Sequence, residues 1–398
     1  MSGILNITQT PGYDNSISKI EYHSYSPFLQ SYNSSDEIRI SIQQQDLSIL
    51  PSESFIYIEG TLKKSDDLIS ETGRLSNNAM AFLFEEIHYE LNGVDIECNK
   101  NVGITTSLKN YISFNEIESK NLQNASWYGK ENILVSSGTF NFCVPLKNLL
   151  GFAEDYKKII TNARHELILI RTRTDENAFI SEKDDLRIKI LKMQWRVPHI
   201  TLADVEKLNL LKQIQTKPIQ IHFRNWEMYE YPSLPAATDH IWTIKTSSQL
   251  EKPRYIIIGL QSNRKNQKGK DVSKFDHCTL SNVKVHLNSE SYPREDLNVD
   301  FTTGRYAILY DMYSRFQQSY YNKQSQPLLS REEYKEIAPI IVIDCSRQNE
   351  SIKSAPVDVK LEIKTTATVP QNTSIYCMII HDRIVEYSPL TGEVRKLT

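Results

Sequence analysis

Apolar and polar residues alternate with a period of two along much of this chain, the pattern that a half-buried β-strand produces. Four stretches show this alternation, at residues 38–43, 186–190, 219–224 and 357–363. Other short stretches are apolar throughout, as strands covered on both faces are, at residues 55–58, 167–170 and 255–258. The pattern predicts antiparallel sheets of half-buried strands with a smaller number of fully buried ones.

Helical periodicity is confined to short segments. The clearest covers residues 201–214, where Thr201 and Asp204 resemble a capping box and apolar residues recur at helical spacing. This segment lies at the midpoint of the 398 residues. It predicts a linker helix over residues 201–217 that joins two halves of similar length. A second capped helix start is predicted at Ser330.

The two halves resemble each other in the order of their segments. IHYELNGVDI at 87–96 corresponds to VKVHLNSESY at 283–292, which aligns Leu91-Asn92 with Leu287-Asn288. In each half a threonine pair and a short aromatic, helix-like segment follow, at 108–114 and 306–316. Two strand-like segments then complete each half, at 140–146 and 165–171 and at 340–346 and 357–364. The repeated order predicts a structural duplication.

Strands in this order, with one short crossover helix, are typical of an eight-stranded jelly roll, in which two Greek keys fold into one sandwich. The sequence therefore predicts an all-β fold of two tandem eight-stranded antiparallel jelly-roll β-sandwiches, a double jelly roll, with a few short helices. The first 30 residues, rich in Ser, Tyr and Asn, are interpreted as an arm that is either disordered or ordered against a neighbouring molecule. The predicted division is an N-terminal arm at 1–30, a first jelly roll at 31–200, the linker helix at 201–217, a second jelly roll at 218–390 and a C-terminal tail at 391–398.

Several segments of the second half carry a resemblance to a known family. They are Arg224-Asn225-Trp226-Glu227 with the residues up to Ile244, the block EKPRYIIIGLQSNRK at 251–265, and the segments 274–301 and 306–316. This chain resembles the major capsid proteins of Polinton and adintovirus type DNA viruses, which also have copies in arthropod genomes. The likeness is best from about residue 219 to 321, and it is a pattern of strand blocks and not a catalytic signature.

The resemblance implies a structural protein. The sequence also lacks the G-x-S-x-G, H-E-x-x-H, G-x-G-x-x-G and Walker A motifs, so no enzyme activity is predicted. It implies upright double jelly rolls, three of which form a pseudo-hexagonal homotrimeric capsomer of an icosahedral capsid. The implied partners are further copies of the chain, penton and minor capsid proteins, and packaged DNA through weak or indirect contact. The implied location is the virion capsid, with synthesis in the host cytoplasm and the nucleus as a candidate place of assembly.

Charge and targeting signals are consistent with such a role. The 46 Lys and Arg residues against 49 Asp and Glu residues give a net charge of −3. The chain therefore has no excess of positive charge that could neutralise a nucleic-acid backbone. Any genome contact is therefore expected to be local or made by another protein. No basic, apolar leader and no stretch of about 18 apolar residues is present, so neither a signal peptide nor a membrane span is predicted.

Candidate chemistry is sparse, and no catalytic, cofactor-binding or metal-binding residue and no cofactor is predicted. The cysteines are odd in number and form no C-x-x-C pair, at Cys98, Cys143, Cys278, Cys345 and Cys377. Three Asp–His neighbours are interpreted as surface or loop histidines and not as parts of a triad or metal site, namely Asp239-His240, Asp276-His277 and His381-Asp382.

One basic run, Arg264 to Lys270, is interpreted as a solvated loop, because no aromatic residue is interleaved for base stacking. The alternative interpretation is a contact with nucleic acid or with an acidic neighbouring capsomer. Jelly rolls also occur in other classes of protein, so a non-viral ligand- or carbohydrate-binding protein remains the alternative function. A cupin-type metal enzyme is a third hypothesis, against which the lack of a His-x-His pair counts.

Overall fold

The computed structural model describes residues 16–43, 48–70, 72–215, 217–244, 253–288, 290–347 and 358–397. Within these ranges every strand pairing is antiparallel, and every pairing joins strands of the same half. The buried apolar side chains of both halves nevertheless form one continuous cluster. The two halves thus have separate sheets and a shared apolar interior.

The first half contains thirteen described strands and four described α-helices. Its strands are β1 (Ile17–Tyr25), β2 (Glu37–Ile42), β3 (Ser48–Ile49), β4 (Phe55–Lys64), β5 (Arg74–Leu75), β6 (Phe84–Leu91), β7 (Val94–Lys100), β8 (Ile133–Leu134), β9 (Thr139–Pro145), β10 (Ile160–Thr161), β11 (His165–Arg171), β12 (Phe179–Ile180) and β13 (Leu186–Leu202). Its helices are α1 (Ala79–Phe82), α2 (Val102–Ser113), α3 (Glu116–Asn121) and α4 (Gly151–Asp155).

Helix α5 (Asp204–Ile214) joins the halves. The second half contains β14 (Ile219–Tyr231), β15 (Asp239–Ile244), β16 (Pro253–Ser262), β17 (Leu280–Leu287), β18 (Glu290–Tyr292), β19 (Ile341–Asp344), β20 (Val359–Thr365), β21 (Thr373–Tyr387) and β22 (Val394–Leu397). Its helices are α6 (Ala307–Tyr321) and α7 (Arg331–Ile337).

The eight main strands of each half have the same sheet topology, although the first half also has a small sheet β12-β5-β8. In the first half one sheet runs β1-β13-β4-β9 and the facing sheet runs β2-β11-β6-β7, while β3 and β10 extend the first sheet locally. In the second half the orders are β14-β21-β16-β19 and β15-β20-β17-β18. Numbered along each half, the eight main strands run 1-8-3-6 and 2-7-4-5 both times. This is the strand order of a jelly roll, so the predicted double jelly roll is confirmed.

The matched Leu-Asn pairs form the same local structure in both jelly rolls. Asn92 and Asn288 follow β6 and β17 with left-handed φ values of 51° and 55°. The backbone N–H of each asparagine donates to the carbonyl of Arg164 or Asp358, and its side-chain oxygen accepts from the N–H of that same residue. Asparagine tolerates left-handed φ and can bond its neighbours in this way. The sequence match therefore marks a duplicated turn.

Both ends of the chain differ from their sequence interpretation. Strand β1 lies within the predicted arm, yet Tyr22 and Tyr25 stand opposite Pro198 and Trp195 of β13, and β1 is the first strand of the first jelly roll. Almost all of its residues are exposed, so the strand lacks the alternation of buried apolar and exposed polar residues from which a strand can be predicted. Residues 1–15 lie outside the described ranges. The predicted tail contains β22, which pairs with the end of β21.

The linker helix begins later than predicted. Thr201 belongs to β13, where it pairs with Lys19 of β1, because strand pairing outweighs a local capping signal. Ala203 precedes the helix and makes no side-chain capping bond, so the predicted capping box is wrong. At Ser330 the prediction is confirmed, since Ser330 and Glu333 form a reciprocal capping box at the start of α7.

Candidate functional site: the junction of the two jelly rolls

The junction between the two jelly rolls is built around α2, a helix that is buried on all sides. Every one of its twelve residues is buried, including Lys109. Helix α6 of the second jelly roll packs against it, and the hydroxyl of Tyr313 donates to the carbonyl of Tyr111 over 3.0 Å. A helix surrounded by protein must have every polar group satisfied internally.

The buried ammonium group of Lys109 meets this requirement through four oxygen atoms. Its Nζ atom lies 2.9 and 3.1 Å from the two carboxylate oxygens of Glu154, 3.0 Å from Ser113 Oγ and 2.5 Å from the Tyr321 hydroxyl. Tyr321 in turn donates to Glu154. Burial lowers the pKa of Lys109, and the Glu154 carboxylate opposes that shift. Both members of this ion pair belong to the first jelly roll, and Tyr321 of the second jelly roll links it across the junction.

A second ion pair, between Arg224 and Asp155, lies beside the first. Two guanidinium nitrogens of Arg224 donate to the two carboxylate oxygens of Asp155, over 2.8 and 2.5 Å, and the Arg224 backbone N–H donates to the same carboxylate. The guanidinium lies 3.5 Å above the ring of Tyr320. Bidentate pairing and stacking hold an arginine in one geometry, which fixes β14 against α4.

Helix α4 reaches β14 only because Gly151 has no side chain. A Cβ atom there would lie 2.0 Å from the Arg224 carbonyl oxygen. The N–H groups of Gly151 and Phe152 donate to the buried carboxylate of Glu97 over 3.0 and 2.7 Å. Burial raises the pKa of Glu97 to about 7, against the effect of these N–H groups and of Arg383. The junction is therefore a closed polar lock, in which Lys109 and Arg224 are paired with carboxylates and Glu97 accepts backbone N–H groups.

Sequence reasoning did not find this lock. Lys109 stands in an aromatic helical segment and Arg224 at the start of the family-like block, but neither position carries a pattern that signals burial. Glu154 and Asp155 follow Gly151, and only the folded chain brings them to Lys109 and Arg224. The cluster can orient two domains, and its charges are too enclosed to act on a ligand from solvent.

The three Asp–His neighbours serve local structure. His240 lies 3.1 Å from the Ala237 carbonyl, and His277 stacks on Phe301 at 4.8 Å. His381 lies 3.2 Å from Glu227. The adjacent aspartates bond elsewhere, with Thr238, Arg264 and Arg254 respectively. Each imidazole is thus held by a fixed neighbour. The interpretation as surface or loop histidines is wrong for His240 and His381, which are buried on β15 and β21.

The cysteine thiols are not poised for nucleophilic chemistry. Burial raises the pKa of Cys278 to about 11 and that of Cys345 to about 12, and it raises the pKa of Cys377 further in the same direction. A reactive cysteine requires the opposite shift, because the thiolate is the nucleophile. None of the five cysteines, all of which lie in the described ranges, is part of a disulfide.

The basic run from Arg264 to Lys270 lies largely exposed, but it also contacts the first jelly roll. Arg264 pairs with Asp276 and Lys265 with Glu230. Lys268 reaches Asp185 of the first half over 2.7 Å, and its carbonyl accepts a hydrogen bond from Ser181 over 2.6 Å. The run is thus a surface loop whose cations have carboxylate partners at these three positions.

The repeated 1-8-3-6 and 2-7-4-5 sheets define a double jelly-roll protein. The chain belongs to the double jelly roll-like domain family, and the match covers residues 73–385. No curated protein sequence matches the chain. Among the described residues no helix combines the length and apolar character needed to cross a membrane.

Three viral proteins of known structure share the fold. VP54 of PBCV-1, a crystal structure fitted into a cryo-EM reconstruction of the virophage Sputnik, has a TM-score of 0.64 at 12% identity, with 98% of this chain and 99% of that chain covered. The Faustovirus major capsid protein has a TM-score of 0.61 at 9% identity, covering 95% and 92%. The mavirus major capsid protein has 0.54 at 12% identity, covering 100% and 93%. At these identities the likeness establishes the fold.

Proposed function

We propose that this protein is a viral-type major capsid protein, a structural component and not an enzyme. The observation that carries the proposal is the extent of the structural likeness. Viral proteins of the same fold, two of them major capsid proteins, align with nearly the whole of this chain and over nine tenths of their own length. A binding protein with a single jelly roll would align with only one half of this chain.

The finer proposal is a homotrimeric, pseudo-hexagonal capsomer of an icosahedral shell. Two jelly rolls of equal topology give each chain two similar bodies, so that three chains present six. Threefold closure then approximates sixfold shape and tiles a hexagonal net. The rigid lock at Lys109 and Arg224 supports this role, because a fixed angle between the bodies is needed for every capsomer to have the same outline.

The surface around β1 is a candidate for the contact between copies. Phe28 and Leu29 are 97% and 70% exposed, and on β1 the side chains of Ile20 and Tyr22 are 55% and 54% exposed. Adjacent exposed apolar side chains are typical of protein interfaces. Strand β1 is also the edge of its sheet, with β13 as its pairing partner. We assign this surface to a second copy of the chain.

Further proposals follow from the family resemblance. The domain division, with β1 moved from the arm into the first jelly roll and β22 added to the second, is proposed as the capsomer's two bodies. Polinton and adintovirus type viruses or their genomic copies are the proposed source. The proposed location is the virion capsid, with penton and minor capsid proteins as partners and a separate basic protein to neutralise packaged DNA.

Analytical ultracentrifugation at micromolar concentration, followed by electron microscopy, tests the proposal. We expect a trimer and pseudo-hexagonal particles or shells. The double variant Phe28→Ser with Leu29→Ser is expected to shift the trimer toward monomer, whereas Ile308→Ser, which alters a 53% exposed residue on α6, leaves it intact. A wild-type protein that stays monomeric at every salt concentration and pH would contradict the capsid proposal and favour the carbohydrate-binding alternative.

A further inference from the structure

The outer face of the hairpin formed by β6 and β7 carries three side chains with metal-binding atoms. His88 on β6 stands directly opposite Cys98 on β7, and Glu86 precedes His88 by two residues, so all three project from the same face. The side chains of Glu86 and His88 are 27% and 24% exposed, and Cys98 is half-buried. The group is therefore held by the sheet yet open to solvent.

The distances among the three ligand atoms suit one small metal ion. His88 Nε2 lies 3.6 Å from Cys98 Sγ and 3.1 Å from Glu86 Oε2, and all three atoms lie within 4.8 Å of one another. With Zn–S near 2.3 Å and Zn–N near 2.0–2.1 Å, a tetrahedral angle separates sulfur and nitrogen by about 3.6 Å. The sheet thus places the sulfur and nitrogen at the spacing that zinc requires.

A single proton on Nε2 of His88 cannot serve both of these contacts. Nε2 of His88 faces both a carboxylate oxygen and a sulfur atom, and a ring nitrogen can carry one proton. If that proton goes to Glu86, the nitrogen has no lone pair to accept from the thiol. A metal ion at the centre would instead accept a lone pair from all three atoms, with the thiol proton released to solvent.

Asp95 supplies a second, independent observation. Its Oδ1 atom is buried and has no hydrogen-bond partner among the described residues, and it lies 3.9 Å from Nδ1 of His88. A metal-bound histidine usually donates its other ring N–H to a carboxylate, which fixes the ring orientation. Metal binding at Nε2 places the ring proton on Nδ1, where a small side-chain shift would bring it within hydrogen-bond distance of this oxygen.

We propose that Glu86, His88 and Cys98 bind one Zn²⁺ ion, with water as the fourth ligand and Asp95 as the hydrogen-bond acceptor for His88. Thiolate and imidazole ligands favour zinc over Mg²⁺ and Ca²⁺, which prefer oxygen. The ion joins β6 to β7 near the edge of the sheet and stabilises that hairpin. Lys100, whose Nζ atom lies 3.5 Å from Glu86 Oε1, competes with the ion for the carboxylate.

Co²⁺ and Zn²⁺ binding to the tag-free, full-length protein tests the site. We expect one ion per chain and a Co²⁺-thiolate charge-transfer absorption that Zn²⁺ displaces. Cys98→Ser should abolish this absorption and weaken Zn²⁺ binding at least about tenfold, and His88→Ala should weaken it similarly. Asp95→Asn should weaken binding by about tenfold while the absorption remains. Lys100→Gln should strengthen binding.

His286→Ala is the matched control. His286 lies 3.3 Å from Glu362 on the corresponding sheet of the second jelly roll, and no Cys, Asp or Glu of the described residues completes a three-ligand group there. This variant should bind Zn²⁺ as the wild-type protein does. A wild-type protein without the Co²⁺-thiolate absorption, or a Cys98→Ser variant with unchanged absorption and affinity, would overturn the proposal.

Discussion

The two jelly rolls share a strand order but bury their crossover helices in different ways. Helix α2 of the first jelly roll follows β7 and is buried along its whole length, whereas α6 of the second follows β18 and is amphipathic. The reason is position, because α6 covers α2 at the junction. A duplicated topology therefore does not duplicate the environment of its residues. Only the inner copy has to neutralise a buried lysine.

The hairpins that the fourth and fifth main strands form, β6–β7 and β17–β18, show the same divergence. At the positions that correspond to Glu86 and His88, 196 residues further on, the second jelly roll has Asn282 and Lys284. Both contact Asp296, over 3.0 and 2.6 Å, in an ordinary surface network. The common turn at Asn92 and Asn288 was kept, while the faces of the two hairpins acquired different chemistry. Function in this fold is thus expected where the copies differ.

The largest expected effect comes from Lys109. Lys109→Ala leaves the Glu154 carboxylate buried without its cation, and we expect a loss of about 3–5 kcal/mol in the free energy of unfolding. Arg315→Ala on α6 removes a cation that is 71% exposed and pairs with Asp311 within one helix. That control should cost less than about 0.5 kcal/mol. Denaturant unfolding measures both, and equal losses would show that the junction is not a lock.

The next effect is a pH dependence at Glu97. Its folded-state pKa of about 7 lies above the ordinary value of 4.5, so the protonated side chain stabilises the fold fully below pH 4.5. This contribution, roughly 3 kcal/mol, is lost as the pH rises through 7. The Glu97→Gln variant has no ionisable group at this position, so it does not lose this contribution as the pH rises. The free energy of unfolding of the variant should therefore gain roughly that amount relative to wild type between pH 4.5 and pH 8.

Comparison with the variant is needed because His165 acts in the opposite sense. Burial lowers the pKa of His165 to about 3, so the unfolded state binds a proton below pH 6.5 that the folded state does not. Stability from this group rises with pH between 3 and 6.5, which offsets the Glu97 effect in the wild-type profile. Both proteins contain His165, so it cancels in the difference. Parallel pH profiles would contradict the assignment to Glu97.

Features that arise from local periodicity could be predicted from the sequence, whereas contacts between residues that are far apart in the chain mostly could not. Alternation and the Leu-Asn match predicted the strands and the duplication, because both are local patterns. Strand β1 was not predicted because its side chains are exposed and show no alternation. The capping box predicted at Thr201 was wrong because pairing with β1 extends β13 through this residue. The junction lock could not be predicted because it joins residues up to 212 positions apart. The group of Glu86, His88 and Cys98 could not be predicted because its members face each other only once the hairpin has formed.

A smaller effect should separate the two matched turns. Asn92→Ala and Asn288→Ala each place alanine at a left-handed φ and remove the side-chain hydrogen bond that closes the shared turn, for a loss of about 1–2 kcal/mol. Asn92 also donates from Nδ2 to the Gly392 carbonyl of the second half over 2.8 Å. Asn92→Ala should therefore cost about 1 kcal/mol more than Asn288→Ala. Thermal unfolding of the two variants checks this, and a larger loss at Asn288 would contradict it.

The smallest effect is expected in the basic run. Replacing Lys265, Lys268 and Lys270 together with Ser removes the ion pairs to Glu230 and Asp185. The lysines of these pairs are 40% and 42% exposed, so solvent already screens their charges. The melting temperature should change by less than about 2 °C, because such pairs contribute little. The contact between the halves at Lys268 also uses its backbone carbonyl, which the substitution keeps.

Arg264→Ala serves as the contrast within the same loop. Arg264 is largely enclosed, pairs with both carboxylate oxygens of Asp276 and donates to the Asp271 carbonyl, so its loss leaves a half-buried carboxylate without its partner. Its melting temperature should fall clearly further than that of the triple variant in the same thermal scan. If the triple lysine variant instead loses several degrees, the exposed cations themselves hold the two jelly rolls together, and the loop belongs to the junction.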